Sequence, residues 1–153
     1  SDRICRDVGK VEKLAARHGM RPAIRLNGTS DLPWEKTVPM HAFPGVAWYD
    51  YTKSPERMDK FLAGGMPANY HLTFSRSEAN ERDALALLPK GGNVAAVFAT
   101  KKADALPATW KGFRVVDADK DDVRFNDPRG VIAGLRAKGP ARKDASGFVI
   151  HLN

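Results

Sequence analysis

The stretch Asn93-Val94-Ala95-Ala96-Val97-Phe98 constrains the fold more than any other part of the sequence. It follows the turn Gly91-Gly92, carries no charge and is apolar almost throughout, the composition of a parallel strand covered on both faces. Such a strand needs neighbours in a sheet and crossover segments packed over it.

Further strands fit this reading at Ala23–Asn27, Val46–Tyr51, Tyr70–Phe74, Phe113–Asp117, Val131–Leu135 and Phe148–Ile150. Helical segments alternate with them. Ile4, Val8, Val11, Leu14 and Ala15 share one face of a first helix that Gly19 and Pro22 stop. Ser54-Pro55-Glu56 opens a second, with a cap, a proline at the first position and a carboxylate near the positive end; it buries Met58, Phe61 and Leu62. Ser77-Glu78 opens a third, burying Ala84, Leu85, Leu87 and Leu88. Leu32–Glu35 reads as a short helix or loop, and Ala103–Trp110 as a helical or looping crossover interrupted by Pro107.

Strand, crossover and strand at roughly 20 to 25 residue spacing is the rhythm of right-handed βαβ units. A complete eight-fold barrel needs about 200 residues or more, and 153 are too few. The expectation is one α/β domain over 1–153, with a mostly parallel sheet of about six strands. Short crossover helices would join the strands into a partial (β/α) barrel-like or open doubly wound arrangement.

Hydrophobic residues at 42% and charged residues at 28% place the chain among globular proteins rather than disordered ones. No apolar run reaches the length of a bilayer span, and the charged start Ser1-Asp2-Arg3-Ile4-Cys5-Arg6 has no secretory h-region. Cys5 is the lone cysteine, so an internal disulfide, a cysteine metal cage and an iron–sulfur cluster held by this chain are excluded. These features point to the cytoplasm of a host cell and to no membrane partner. The net charge of +7 favours an acidic partner, with Arg129, Arg136, Lys138, Arg142 and Lys143 forming the densest basic stretch.

Four strings carry a resemblance: Arg25-Leu26-Asn27-Gly28-Thr29-Ser30-Asp31-Leu32-Pro33-Trp34-Glu35, Tyr49-Asp50-Tyr51-Thr52-Lys53, Asn69-Tyr70-His71-Leu72-Thr73-Phe74-Ser75, and Asp127-Pro128-Arg129-Gly130-Val131 running on to Gly139. Together they resemble the C-terminal region of an uncharacterised family of phages and other mobile elements. The resemblance implies longer members with a cysteine-rich N-terminal segment and a partial-barrel-like fold. It implies no activity.

Parallel α/β folds bind ligands at the carboxyl ends of their strands. Reading those ends, with the aromatic residues beside them, selects Arg25, Asn27, Thr29, Asp31, Trp34, Tyr51, Lys53, His71, Thr73, Ser75, Arg76 and Lys101 as ligand-binding candidates. Strand ends are polar for capping reasons too, and Trp48 and Phe74 read as core. Asp31, Glu35, Asp50 and Asp117 are the candidates for acid–base or Mg²⁺ chemistry. In Asp117-Ala118-Asp119-Lys120-Asp121-Asp122 the spacing matches the start of a calcium loop, but Asp122 stands where that loop needs glycine and Pro128 where it needs glutamate. His18, His41, His71 and His151 show no metal-ligand spacing, and no phosphate-binding glycine loop or nucleophile signature occurs.

Three function classes follow. The first is a binding protein with a strand-end site for nucleic acid or a phosphorylated ligand. The second is a phage inhibitor that binds a host defence protein. The third is an enzyme, or its remnant, built on the carboxylates.

Overall fold

The computed structural model describes residues 2–152. Helix α1 spans Asp2–Arg17, α2 Pro55–Leu62 and α3 Glu81–Leu87. The strands are β1 Ala23–Ile24, β2 Ala47–Thr52, β3 Tyr70–Ser75, β4 Val94–Phe98, β5 Thr109–Trp110, β6 Phe113–Asp117, β7 Ile132–Arg136 and β8 Val149–Ile150. They form an 8-stranded sheet in the order β1-β2-β3-β4-β7-β6-β5, with β8 pairing β4 off this path. Every pairing is parallel except β5 with β6.

The mixed α/β class and the parallel sheet agree with the sequence reading, whereas the count of about six strands falls short. Thr109–Trp110, read as part of a helical or looping crossover, is a strand. It pairs with β6 through the tight turn Lys111-Gly112, both residues at positive φ. A residue–glycine pair between β-forming residues is the signal of such a hairpin, and Pro107 obscured it.

The barrel-like expectation also needs correction. In a barrel each strand lies beside the next in chain order, but here β7 inserts between β4 and β6. The sheet keeps open edges at β1 and β5, β8 pairs only with β4, and the strand order reverses after β4.

Local chemistry explains the element limits. Gly19 sits at φ 63 just beyond α1. Ser54 caps α2 by accepting from the Arg57 amide at 3.2 Å. α3 begins three residues later than its Ser77-Glu78 opening suggested, because the Asn80 side chain accepts from the Ser77 amide and donates to the Ser75 carbonyl. These bonds hold Ser77–Asn80 as a turn. β1 ends early because the Asn27 amide donates to the Asp50 carboxylate rather than continuing a ladder.

The main core lies on one face of the sheet. Trp48, Leu72, Phe74, Ala96, Phe98 and Ile132 point there and meet Val8 of α1, Met58 of α2 and Leu87 of α3. The other face holds a smaller cluster, Ala95, Ala118 and Ala133, with Tyr51 and Leu135 against it. The segment carrying the 3-10 turn Arg124–Asn126 packs against β2 and β3, with Phe125 tilted against Tyr49 at 5.7 Å.

Strand β4 has β7 along its whole length and two successive partners besides. β3 pairs with its start, at Val94 and Ala95, and β8 with its end, at Val97 and Phe98. Arg76 joins the two. Its Nη1 donates to the Gly147 and Phe148 carbonyls at 2.8 and 2.7 Å, while Nε and Nη2 grip Glu81 of α3.

Candidate functional site

Beyond the carboxyl ends of β1 and β2, one buried polar network organises the loop Asn27–Glu35. Asp50 is 2% exposed and accepts from the Asn27 amide at 3.0 Å, the Asn27 side chain at 3.2 Å and the Tyr70 hydroxyl at 2.7 Å. Asn27 Oδ1 accepts from the Ser30 hydroxyl, the Leu32 amide and the Trp34 indole nitrogen. Arg57 from α2 closes the network, donating to Asp31 and Glu35 at 2.8 Å each and to the Tyr70 hydroxyl at 3.0 Å. Burial raises the Asp50 carboxyl above its ordinary range, and its hydrogen bonds oppose that shift. The Tyr70 phenol is pushed up by burial and by the adjacent Asp50.

Asp31 of this network also lines a cleft of about 290 Å³, together with Arg25, Thr29, Tyr51, Lys53 and Ser75, among others. Six of the sequence candidates meet there. The Arg25 guanidinium lies 4.9 Å from the Tyr51 ring centroid and also donates to the Asn27 and Gly28 carbonyls.

A second site lies at the carboxyl ends of β4 and β7. The chain leaves β4 towards β5 and β6, and leaves β7 in the opposite direction, towards β8. A crevice lies between the ends of these two strands, on the carboxyl edge where parallel α/β folds bind ligands. The crevice measures about 590 Å³ and is lined by Ala99, Thr100, Lys101, Lys102, Ala103, Ala137 and Arg142. Among the described residues, Lys101, Lys102 and Arg142 have no ion-pair partner.

An adjoining pocket of about 510 Å³ shares Lys102, Ala137 and Arg142 and adds Asp117, Asp119, Lys120, Arg136 and Lys138. Arg136 is fully engaged there. Its Nη1 donates to Asp117 and Asp119 at 3.0 Å, and its Nε and Nη2 donate to the Asp104 carbonyl. The Arg136 hydrogen bond holds the Asp117 carboxyl below its usual range. The crevice thus offers unopposed cations on one wall and a neutralised cluster on the other.

The sequence matches the gene product 88 family over residues 2–152. The chain belongs to the gene product 88 family. No curated protein and no solved structure gives a significant match. For this gene product 88 family member the match supports the phage-type context of the resemblance; it does not show the cysteine-rich segment expected of longer members.

The remaining candidates in this family member fall elsewhere. Thr73 is fully buried, and its hydroxyl lies 3.4 Å from His71 Nε2. Arg76 is 6% exposed and committed to Glu81 and two carbonyls. Asn27 and Trp34 belong to the buried network rather than to a cleft wall. Asp31 and Glu35 are held by Arg57, and Asp117 lies with Arg136 at the other site, so the carboxylate candidates do not share one mouth. Among the described residues no group of three or more His, Cys, Asp or Glu is placed to hold a metal ion. Among the described residues no helix is long and apolar enough to cross a membrane.

Sequence reasoning selected Lys101 but missed Lys102, Lys120, Lys138 and Arg142 as its companions. For Lys138 and Arg142 the basic stretch Arg129–Lys143 is the available signal. Nothing local shows that this stretch leaves a strand beside β4.

Proposed function

We propose that this protein binds phosphate-bearing ligands, nucleic acid first among them, along the carboxyl edge of its sheet. The observation that carries the reading is the crevice at the carboxyl ends of β4 and β7, where Lys101, Lys102 and Arg142 have no ion-pair partner among the described residues. The Arg25–Tyr51–Lys53 cleft on the same edge supplies an aromatic ring beside two cations, a pairing suited to a base and its phosphate.

Fluorescence anisotropy of labelled single- and double-stranded DNA and RNA, at two salt concentrations, tests the proposal. Binding is expected to weaken steeply with salt, and a Lys101→Glu/Lys102→Glu variant is expected to lose it. No binding at low salt would remove the reading.

The inhibitor reading has one observation in its favour. Val11 and Leu14, three residues apart on α1, are 40% and 55% exposed, and Met20 beyond them is 63% exposed. A host protein captured by wild type but not by Val11→Glu/Leu14→Glu would support it. The carboxylate enzyme reading has no comparable support, since Asp31, Glu35 and Asp117 are each paired with an arginine.

A further inference from the structure

Strand β4 meets β3 only at Phe74 and Ser75, so the first part of β3 has no β4 residue beside it. This stagger opens a notch of about 330 Å³ near the amino ends of the two strands, remote in the fold from the carboxyl-edge crevice. Phe61, Leu62 and His71 line one side, Gly91 and Asn93 the other, and Phe125, Asp127 and Arg129 come from the segment crossing the sheet. That volume is at the low end of small-molecule sites, about 300 to 1,000 Å³.

The lining is chemically specific. Phe61, Phe125 and the His71 ring offer aromatic surface, with Phe61 and His71 edge to face at 5.3 Å. Burial, with the Arg124 charge beside it, pushes the His71 imidazole down to about 4, so the ring is neutral at physiological pH. Asp127 Oδ2 is buried without a hydrogen-bond partner, and so are Nε and Nη1 of Arg124, whose side chain is 2% exposed. Arg124 Nε lies 3.5 Å from Asp127 Oδ2, close enough for charge attraction but not hydrogen-bonded. Asp127 Oδ2 is turned to Arg124, while the Asp127 side chain also lines the notch. Asn93, by contrast, is spent on the Pro128 carbonyl and the Val131 amide.

Arg129 stands at the rim with no ion-pair partner among the described residues. Its guanidinium lies across Gly91, where a Cβ would come within 2.7 Å of Nη2. Gly91, at φ 90, therefore leaves space for the arginine as well as making the turn.

A ligand for this notch needs a flat ring for the aromatic walls, N–H donors for the Asp127 carboxylate and an anionic group for Arg129. We propose that the notch is a mononucleotide site that prefers guanine, whose adjacent N–H groups can both face a carboxylate, with the phosphate at the rim beside Arg129. The site is independent of the carboxyl-edge reading.

Isothermal titration calorimetry of the whole chain with GMP, AMP, CMP, UMP and guanosine tests it, together with three variants checked for folding by thermal melting. GMP is expected to bind most tightly. Asp127→Asn is expected to weaken GMP about tenfold or more, the scale of a hydrogen bond to a charged group. Arg129→Ala should weaken GMP while leaving guanosine unchanged, and Lys101→Glu/Lys102→Glu should leave GMP unchanged. If Asp127→Asn fails to fold, Phe125→Ala replaces it and should also weaken GMP. No heat with millimolar GMP, equal affinity for UMP and GMP, or GMP binding lost only in the Lys101→Glu/Lys102→Glu variant would overturn the proposal.

Discussion

The Tyr70 hydroxyl donates to Asp50 Oδ2 at 2.7 Å and accepts from Arg57 at 3.0 Å, so one phenol joins a buried carboxylate of β2 to the arginine that holds the Asn27–Glu35 loop. Tyr70→Phe removes both bonds with little change in shape. It is expected to cost about 1–3 kcal/mol, the penalty for leaving buried partners unpaired. Urea unfolding of the two proteins at neutral pH measures the difference, and equal midpoints would show that the hydroxyl contributes nothing.

Arg76 connects the end of β3 to the chain entering β8. Arg76→Ala is expected to destabilise the protein by about 1–3 kcal/mol, because the Gly147 and Phe148 carbonyls lose their donor, while Glu81 keeps its pair with Lys111. Arg76→Lys keeps the charge but loses the fork. In both variants hydrogen exchange should accelerate first at the Ala99 amide, which donates to the Ile150 carbonyl. Uniform acceleration over the sheet would contradict this local role.

Gly134 is the β7 residue beside Ala96 and Asp117 in the sheet. A Cβ there would lie 2.7 Å from Val115 Cγ1 and 3.1 Å from Leu106 Cδ1. Gly134→Ala should therefore destabilise by overpacking, about 1–3 kcal/mol, and Val115→Ala should relieve part of that cost in the double variant. Additive losses would show that Val115 is not the obstacle.

His71 gives a pH signature. Its imidazole is lowered from 6.5 to about 4 in the folded chain, chiefly by burial. Between those values the unfolded chain binds the extra proton, so stability is present above about 6.5 and lost as pH falls towards 4. The full effect is on the order of 3 kcal/mol, and His71→Phe should flatten the slope between pH 7 and 5. The same slope in both proteins would place the titration elsewhere.

In the crevice, Lys101→Ala and Arg142→Ala should each weaken nucleic-acid binding similarly across sequences and lower the salt slope by about one. Neither has an ion-pair partner to lose among the described residues, so thermal stability should be unchanged. A fall in melting temperature would instead mean a structural role.

Strand positions were legible because each strand is a local pattern: the uncharged Val94–Phe98 run, or the alternation in Tyr70–Ser75, whose even and odd residues face opposite sides of the sheet. The capped start of α2 and the glycine after α1 are equally local. The convergence of Arg25, Thr29, Asp31, Tyr51, Lys53 and Ser75 on one cleft was also within reach, since all lie at the carboxyl ends of neighbouring strands. Strand order was not legible. The insertion of β7 between β4 and β6 depends on pairings such as Ala96 with Gly134, and no short-range pattern encodes a partner that far along the chain.

That order creates the crevice and brings Arg142 to Lys101 and Lys102. Tertiary contacts also decided which cations are free. Arg57, Arg76 and Arg136 look as available in the sequence as Lys101 does, yet each is bound by carboxylates, carbonyls or a phenol. The residue list sets how much positive charge the protein carries; three-dimensional pairing sets where that charge stays unopposed, because an ion pair depends on distance in space rather than along the chain.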